Sequence, residues 1–228
     1  MLKRRGLDFL SGNVGPILFG SLIMVLGFLQ PGYSHAVNLV SEMGAGGSPF
    51  APVINLAGFV LFGILVLIFS FSVQRSIPKG KLSFAGTALI AVTGIGLVGL
   101  GIFPCDAACD NFTLTGTLHT VFNRIAIGCS VMAPFLMARI FNRDRRWKGL
   151  SGFSTGIGMV SFLVWLVFFL VPIEGYAGFI QRLGIFTSLV WMEAVSFRLT
   201  RLSVPKKYWP SWGARFWERK RLRKTSGR

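Results

Sequence analysis

Acidic residues are scarce: eight aspartates and glutamates stand against 24 lysines and arginines, and only 14% of the 228 residues are charged. A soluble domain of this length carries roughly a quarter, so the composition argues against a water-facing globule. Polar residues are also few inside the apolar stretches, which ranks a solute pathway low among the functions to consider. With three cysteines and two histidines in the chain, a metal site at any cysteine pair would still want two more ligands. What the chain has in excess is hydrocarbon: 52% of its residues are hydrophobic, and 22 are phenylalanine.

That excess is arranged in six runs: about Val14–Leu29, Pro52–Val73, Leu82–Phe103, Leu118–Phe141, Gly152–Val171 and Ala177–Phe197. A helix needs about 20 apolar residues to cross roughly 30 Å of hydrocarbon, and in lipid each run must satisfy its backbone internally. The expected fold is all-α: a polytopic membrane protein with six transmembrane helices in one bundle. Residues 1–200 form this domain, and residues 201–228 a basic, aromatic cytoplasmic tail. Of the 24 basic residues, 22 fall before the first run, between the second and third, between the fourth and fifth, or after the sixth. Only Arg124 and Arg182 fall near the other side. The positive-inside rule then places both termini in the cytoplasm of a cell with this protein in its cell membrane. A cleavable signal peptide is the competing reading of the N-terminus, where "MLKRR", an apolar run and Ser34-His35-Ala36 follow in order.

On this topology the loop "VSEMGAGGSPFAPVIN" (Val40 to Asn55) lies outside, as do "PCDAACDNFTLTG" and the turn near "PIEGY". The ionisable groups of that side are His35, Glu42, Asp106, Asp110, His119, Arg124, Glu174 and Arg182. Ionisable groups at membrane depth are costly and mark candidate sites. His119 falls about one turn into the fourth helix with Asn123 on the same face, and Gln181 and Arg182 open the sixth. One reading is a structural lock, in which Glu42 or Asp106 pairs with Arg182 while His119 caps a loop. The other is chemistry, with His119, Asp106 and Glu42 as catalytic candidates. Both expect Glu42, Asp106, His119 and Arg182 to meet at the outer mouth of the bundle.

These same residues carry a family resemblance. Ser41, Glu42, Gly44, Pro49 and Asn55, then "GIFPCD" (Gly101 to Asp106), His119, and "GFIQR" (Gly178 to Arg182) resemble the bacterial and archaeal membrane family known as domain of unknown function 998, itself similar to the Frag1/DRAM/Sfk1 group. The resemblance covers all six runs. It implies that the first helix belongs to the bundle rather than to a signal peptide. It also implies that the polar set, with Asn55 and Gln181 among its binding candidates, belongs to the common core. It implies no reaction.

Other motifs have plainer readings. "GIGLVG" (Gly94 to Gly99) fits a dinucleotide fingerprint, but inside a membrane run its glycines serve close helix approach. Cys105 and Cys109 are a disulfide candidate in an oxidising exterior, Cys129 packs inside the fourth helix, and "NFT" at Asn111 is a glycosylation pattern. Glu193 is expected to pair with Arg198 or Arg139. The tail "KKYWPSWGARFWERKRLRK" interleaves aromatics with eight basic residues, which suits an anionic inner-leaflet lipid surface; nucleic acid is the lesser reading. No cofactor is expected, and the expected partners are membrane lipids. The favoured function is a non-catalytic membrane protein that binds lipid, senses the envelope or scaffolds partners. An intramembrane lipid hydrolase or transferase is the alternative, and a small-solute transporter ranks third.

Overall fold

Backbone amides in hydrocarbon have no water to bond, and all six apolar runs are helical. The computed structural model describes residues 10–173 and 175–203. Lys3, Arg4, Arg5, Glu174 and the basic tail from position 204 onward lie outside the described residues. The helices are α1 (Gly15–Leu29, entered through a π turn at Leu10–Val14), α2 (Ala51–Ser76), α3 (Lys81–Ile102), α4 (Leu114–Arg143), α5 (Ser151–Leu170) and α6 (Ala177–Ser203). No strand occurs among the described residues. The helices α1 to α5 are long and apolar enough to cross a membrane. The 27-residue α6 carries Arg182, Glu193, Arg198 and Arg201, which dilute its apolar character, yet it packs between α5 and α1. The boundary expected at residue 200 falls inside this helix, which runs on to Ser203.

Each helix packs on its neighbour in sequence, and α6 returns to α1, so the bundle closes on itself. Its tightest joints are made by glycine. A Cβ on Gly63 of α2 would lie 2.7 Å from the Gly94 carbonyl of α3, and one on Gly94 would lie 2.8 Å from the Gly63 carbonyl. Farther along α3, Gly96 meets Ala126, Gly99 meets the Phe122 ring and Gly101 meets the backbone of Asn55. The glycines of "GIGLVG" therefore do what close helix packing requires.

At one end, Trp147 is fully buried, stacks on Phe141 with centroids 4.9 Å apart, and donates Nε1–H to the Ser76 carbonyl at 3.3 Å. Arg146 pairs with Asp144 at 2.7 Å and donates to the same Ser76 carbonyl, while Arg198 donates to the Arg146 carbonyl. These bonds gather Arg75, Lys79, Arg143, Arg146, Lys148 and Arg198 at a single basic end. Glu193 joins neither of its expected partners: Arg198 is engaged with Arg146, Arg139 has no ion pair, and the Glu193 Oε1 atom is buried without a hydrogen bond among the described residues. Spacing explains part of this, because residues five apart on a helix project about 140° from one another. The opposite end carries the loops 30–50 and 103–113, and the polar set lies there.

Candidate functional site

At the loop end α6 begins with four N–H groups that no helical carbonyl can accept. The loop between α1 and α2 answers two of them: Gly178 N–H donates to the Val37 carbonyl at 3.1 Å and Phe179 N–H to Ala36 at 3.0 Å. Such contact needs a glycine, since a Cβ at Gly178 would lie 2.3 Å from the Asn38 carbonyl. One turn on, Arg182 is only 4% exposed and donates Nη1–H to the carbonyls of His35 (3.0 Å), Asn38 (2.9 Å) and Gly178 (2.9 Å). Its Nη2 donates to the Tyr33 hydroxyl, and the guanidinium stands 5.4 Å from the Tyr33 ring centroid. Tyr33 in turn donates to the carbonyls of Asn38 and Leu39. Burial raises the Tyr33 phenol above its usual range, against the pull of Arg182, so it remains a donor at neutral pH. Gln181 accepts the Val40 N–H at 2.7 Å. The motif "GFIQR" is thus a latch that seats residues 33–40 on the mouth of the bundle.

The other sequence-selected residues lie around this latch but not in it. Glu42 accepts from Leu39 N–H (2.6 Å) and Asn38 Nδ2 (2.7 Å), closing the 3-10 turn Val40–Gly44 in which it sits. Asn55 donates to the Gly44 carbonyl at 2.9 Å, in contact so close that a Cβ on Gly44 would lie 2.3 Å from its Oδ1. Asp106 accepts from the Thr113 amide (2.8 Å) and hydroxyl (2.6 Å), and these bonds hold its carboxyl below the ordinary range. Thr113 caps α4 by accepting from Gly116 N–H at 3.1 Å, so the Asp106 charge stands at a helix N-terminus. His119, 3% exposed, bonds the Phe103 carbonyl through Nδ1 at 2.8 Å. A carbonyl only accepts, so Nδ1 carries the proton and the imidazole caps the C-terminal end of α3.

No hydrogen bond or ion pair joins any two of Glu42, Asp106, His119 and Arg182 among the described residues. The capping role expected of His119 is present. A carboxylate partner for Arg182 is not, because backbone carbonyls take its place. Cys105 and Cys109 are disulfide-bonded, in a turn where Ala108, Cys109 and Asn111 all have φ between 55° and 59°. The Asn111 amide donates to Thr120 and accepts from Asp106 N–H, so glycosylation of this "NFT" would place a glycan on the nitrogen that donates to Thr120.

Beneath the latch lies a central cavity of about 120 Å³, lined from all six helices. Val40, Ser41 and Gln181 form its ceiling, Phe62, Phe69 and Trp165 part of its walls, and Asn123, Ser130 and Ser188 its polar points. No side chain lining it is ionisable, and neither Glu42, Asp106 nor His119 reaches it. The sequence reading missed Tyr33 and Asn38, whose only signal was a polar pair after the Pro31-Gly32 turn. It also missed the cavity, although Asn123 stood out on the face of His119. No group of three or more metal-binding side chains occurs among the described residues.

Neither a curated protein nor a solved structure matches the chain. A family model does, over residues 13–198, and it spans the latch, the glycine crossings and all six helices. The chain belongs to the family described as "Protein of unknown function (DUF998)".

Proposed function

We propose that this protein is a non-catalytic, lipid-binding membrane protein. Its central cavity receives the tip of an apolar chain beneath a latched loop, and its termini are cytoplasmic. The observation that carries this reading is the cavity lining, which is apolar with a few amide and hydroxyl groups and offers no acid, base or nucleophile poised by one. An apolar cavity of about 150 Å³ stays dry and takes a benzene-sized guest. A volume of about 120 Å³ therefore suits the last few methylenes of an acyl or isoprenoid chain rather than a whole lipid. The hydrolase reading has less support, because each of its candidate residues is committed to its own loop or helix end. The orientation rests on the basic residues gathered at the end opposite the latch.

The test is photolabelling of the purified full chain with a diazirine-bearing fatty acid, followed by mapping of the adducts. Adducts are expected on cavity-lining segments of α2, α4 and α6 and should disappear in Ser188→Phe, which fills the space. Labelling confined to lipid-facing residues such as Phe28 and Phe84 (75% and 70% exposed), unchanged by Ser188→Phe, would refute it. For orientation, Gly46→Cys should react with an impermeant thiol reagent in intact cells while Lys79→Cys stays unreacted.

A further inference from the structure

At the basic end a cleft of about 420 Å³ is lined by α4 and the start of α5, separate from the central cavity. One stripe of α4 runs along it. Met132, Phe135 and Leu136 line the part nearer mid-helix, and Arg139 and Asn142 line the part nearer the basic end. Opposite them, Ser151 and Thr155 lie one turn apart at the start of α5. The two helices are held together here by Ser151 Oγ–H donating to the Ala138 carbonyl at 3.0 Å, and deeper by the Phe135 ring against Gly158. The cleft is therefore polar over its two turns next to the helix ends and apolar beyond them. That is the polarity profile of one leaflet.

Arg139 is exposed and makes no hydrogen bond or ion pair among the described residues, and Asn142 likewise makes no side-chain hydrogen bond. The segment from Arg139 to Lys148 holds five cations and one carboxylate, Asp144, which Arg146 already engages. We propose that this cleft binds one anionic phospholipid, its phosphate on the Arg139 guanidinium and the Asn142 amide and an acyl chain along Met132, Phe135 and Leu136. A guanidinium presents a planar fork that fits two phosphate oxygens at once. The surrounding positive field favours a lipid with net negative charge over a zwitterionic one. The chain's own C-terminal tail is a poor occupant for the same reason, since its nine basic residues beyond position 203 would face Arg139 with like charge.

Native mass spectrometry of the full chain in a non-ionic detergent, titrated with dioleoylphosphatidylglycerol, tests the site. One tightly retained phosphatidylglycerol is expected, weakened about tenfold by Arg139→Gln, the loss of a charge-assisted hydrogen bond. Arg75→Gln, which removes an exposed cation elsewhere at the same end, should change it less than twofold. Leu136→Trp should block retention by filling the apolar part of the cleft. Equal weakening by Arg139→Gln and Arg75→Gln would overturn the proposal in favour of diffuse surface charge. Displacement by soluble glycerol phosphate would overturn it in favour of an anion site, and equal retention of phosphatidylcholine would remove the charge argument. A change of oligomeric mass in Arg139→Gln would assign the cleft to a second copy of the chain instead.

Discussion

Replacing Arg182 with methionine separates a carbonyl-held latch from a carboxylate lock. Methionine keeps much of the buried length while removing every donor. Two of the contacts are left without a replacement, since the His35 carbonyl loses its donor and the Tyr33 hydroxyl loses the guanidinium, while the Asn38 carbonyl keeps Tyr33. The Gly178 carbonyl retains its place in the helix ladder. Bonds to a charged donor contribute about 1.5–3 kcal/mol each. That value is already net of exchange with water, so the two bonds left without a replacement give, at its lower end, a net loss of about 3 kcal/mol, confined to the loop because the helix contacts of α6 lie deeper.

A cysteine at Val40, 1% exposed under the latch, reports the opening when the free Cys129 is replaced by serine. Its reaction with a maleimide should accelerate about a hundredfold in Arg182→Met, the equivalent of roughly 3 kcal/mol in a local opening equilibrium. Arg182→Lys should recover no more than about half, since an ammonium cannot fork across these carbonyls. A double-mutant cycle with Asp106→Asn should show coupling below about 0.5 kcal/mol, because Asp106 bonds Thr113 and shares no hydrogen-bond partner with Arg182. Unchanged labelling in Arg182→Met, or coupling well above 1 kcal/mol, would refute the latch as described.

Gly94→Val should destabilise the bundle by about 2 kcal/mol or more in a detergent melt, because its Cβ would meet the Gly63 carbonyl at 2.8 Å. Gly152→Ala, with open space at its Cβ, should stay within about 0.5 kcal/mol. Reduction of Cys105–Cys109 should loosen the loop before α4 by about 2 kcal/mol, the chain-entropy value for so short a ring, read as faster hydrogen exchange at residues 104–113. Burial and the neighbouring Arg182 hold the His35 imidazole below its usual range, so the folded loop binds fewer protons than the unfolded one. The associated stability is present above about pH 6.5 and lost as pH falls below it. Val40→Cys labelling should therefore rise between pH 7 and pH 5 once corrected for thiolate fraction, and His35→Gln should flatten that rise.

The helices were legible because hydrocarbon imposes a length and a composition, and "GIGLVG" was legible because glycine inside a membrane helix has little other use. Arg182 and Gln181 were legible as polar residues out of place. Their partners were not: a carboxylate is a visible letter, whereas the carbonyls of His35, Asn38 and Gly178 belong to residues of any kind. Glu193 misled for a related reason, since pairing by charge ignores the angle at which residues five apart leave a helix. The cavity is a failure of six helices to fill their common axis, and Ala126, Ser130, Ala133 and Ser188, which border it, read in sequence as ordinary small packing residues.

The polar residues of the loop end share one physical circumstance. Helix ends leave backbone groups unpaired, and near a membrane core water is a poor substitute. His119 serves a carbonyl at the end of α3, Asp106 and Thr113 the start of α4, Glu42 the start of its 3-10 turn, and Asn55 the carbonyl at that turn's end. Arg182 and Gln181 join the loop to the start of α6. Their concentration at one end follows from where long helices stop, without any reaction. It follows that His119→Asn, which keeps a donor able to reach the Phe103 carbonyl, should retain more stability than His119→Ala in the same melt. A general base would lose its function equally in both. Equal stability of the two variants, with Phe103 undisturbed, would take the imidazole out of the capping role and return it to the list of groups awaiting a substrate.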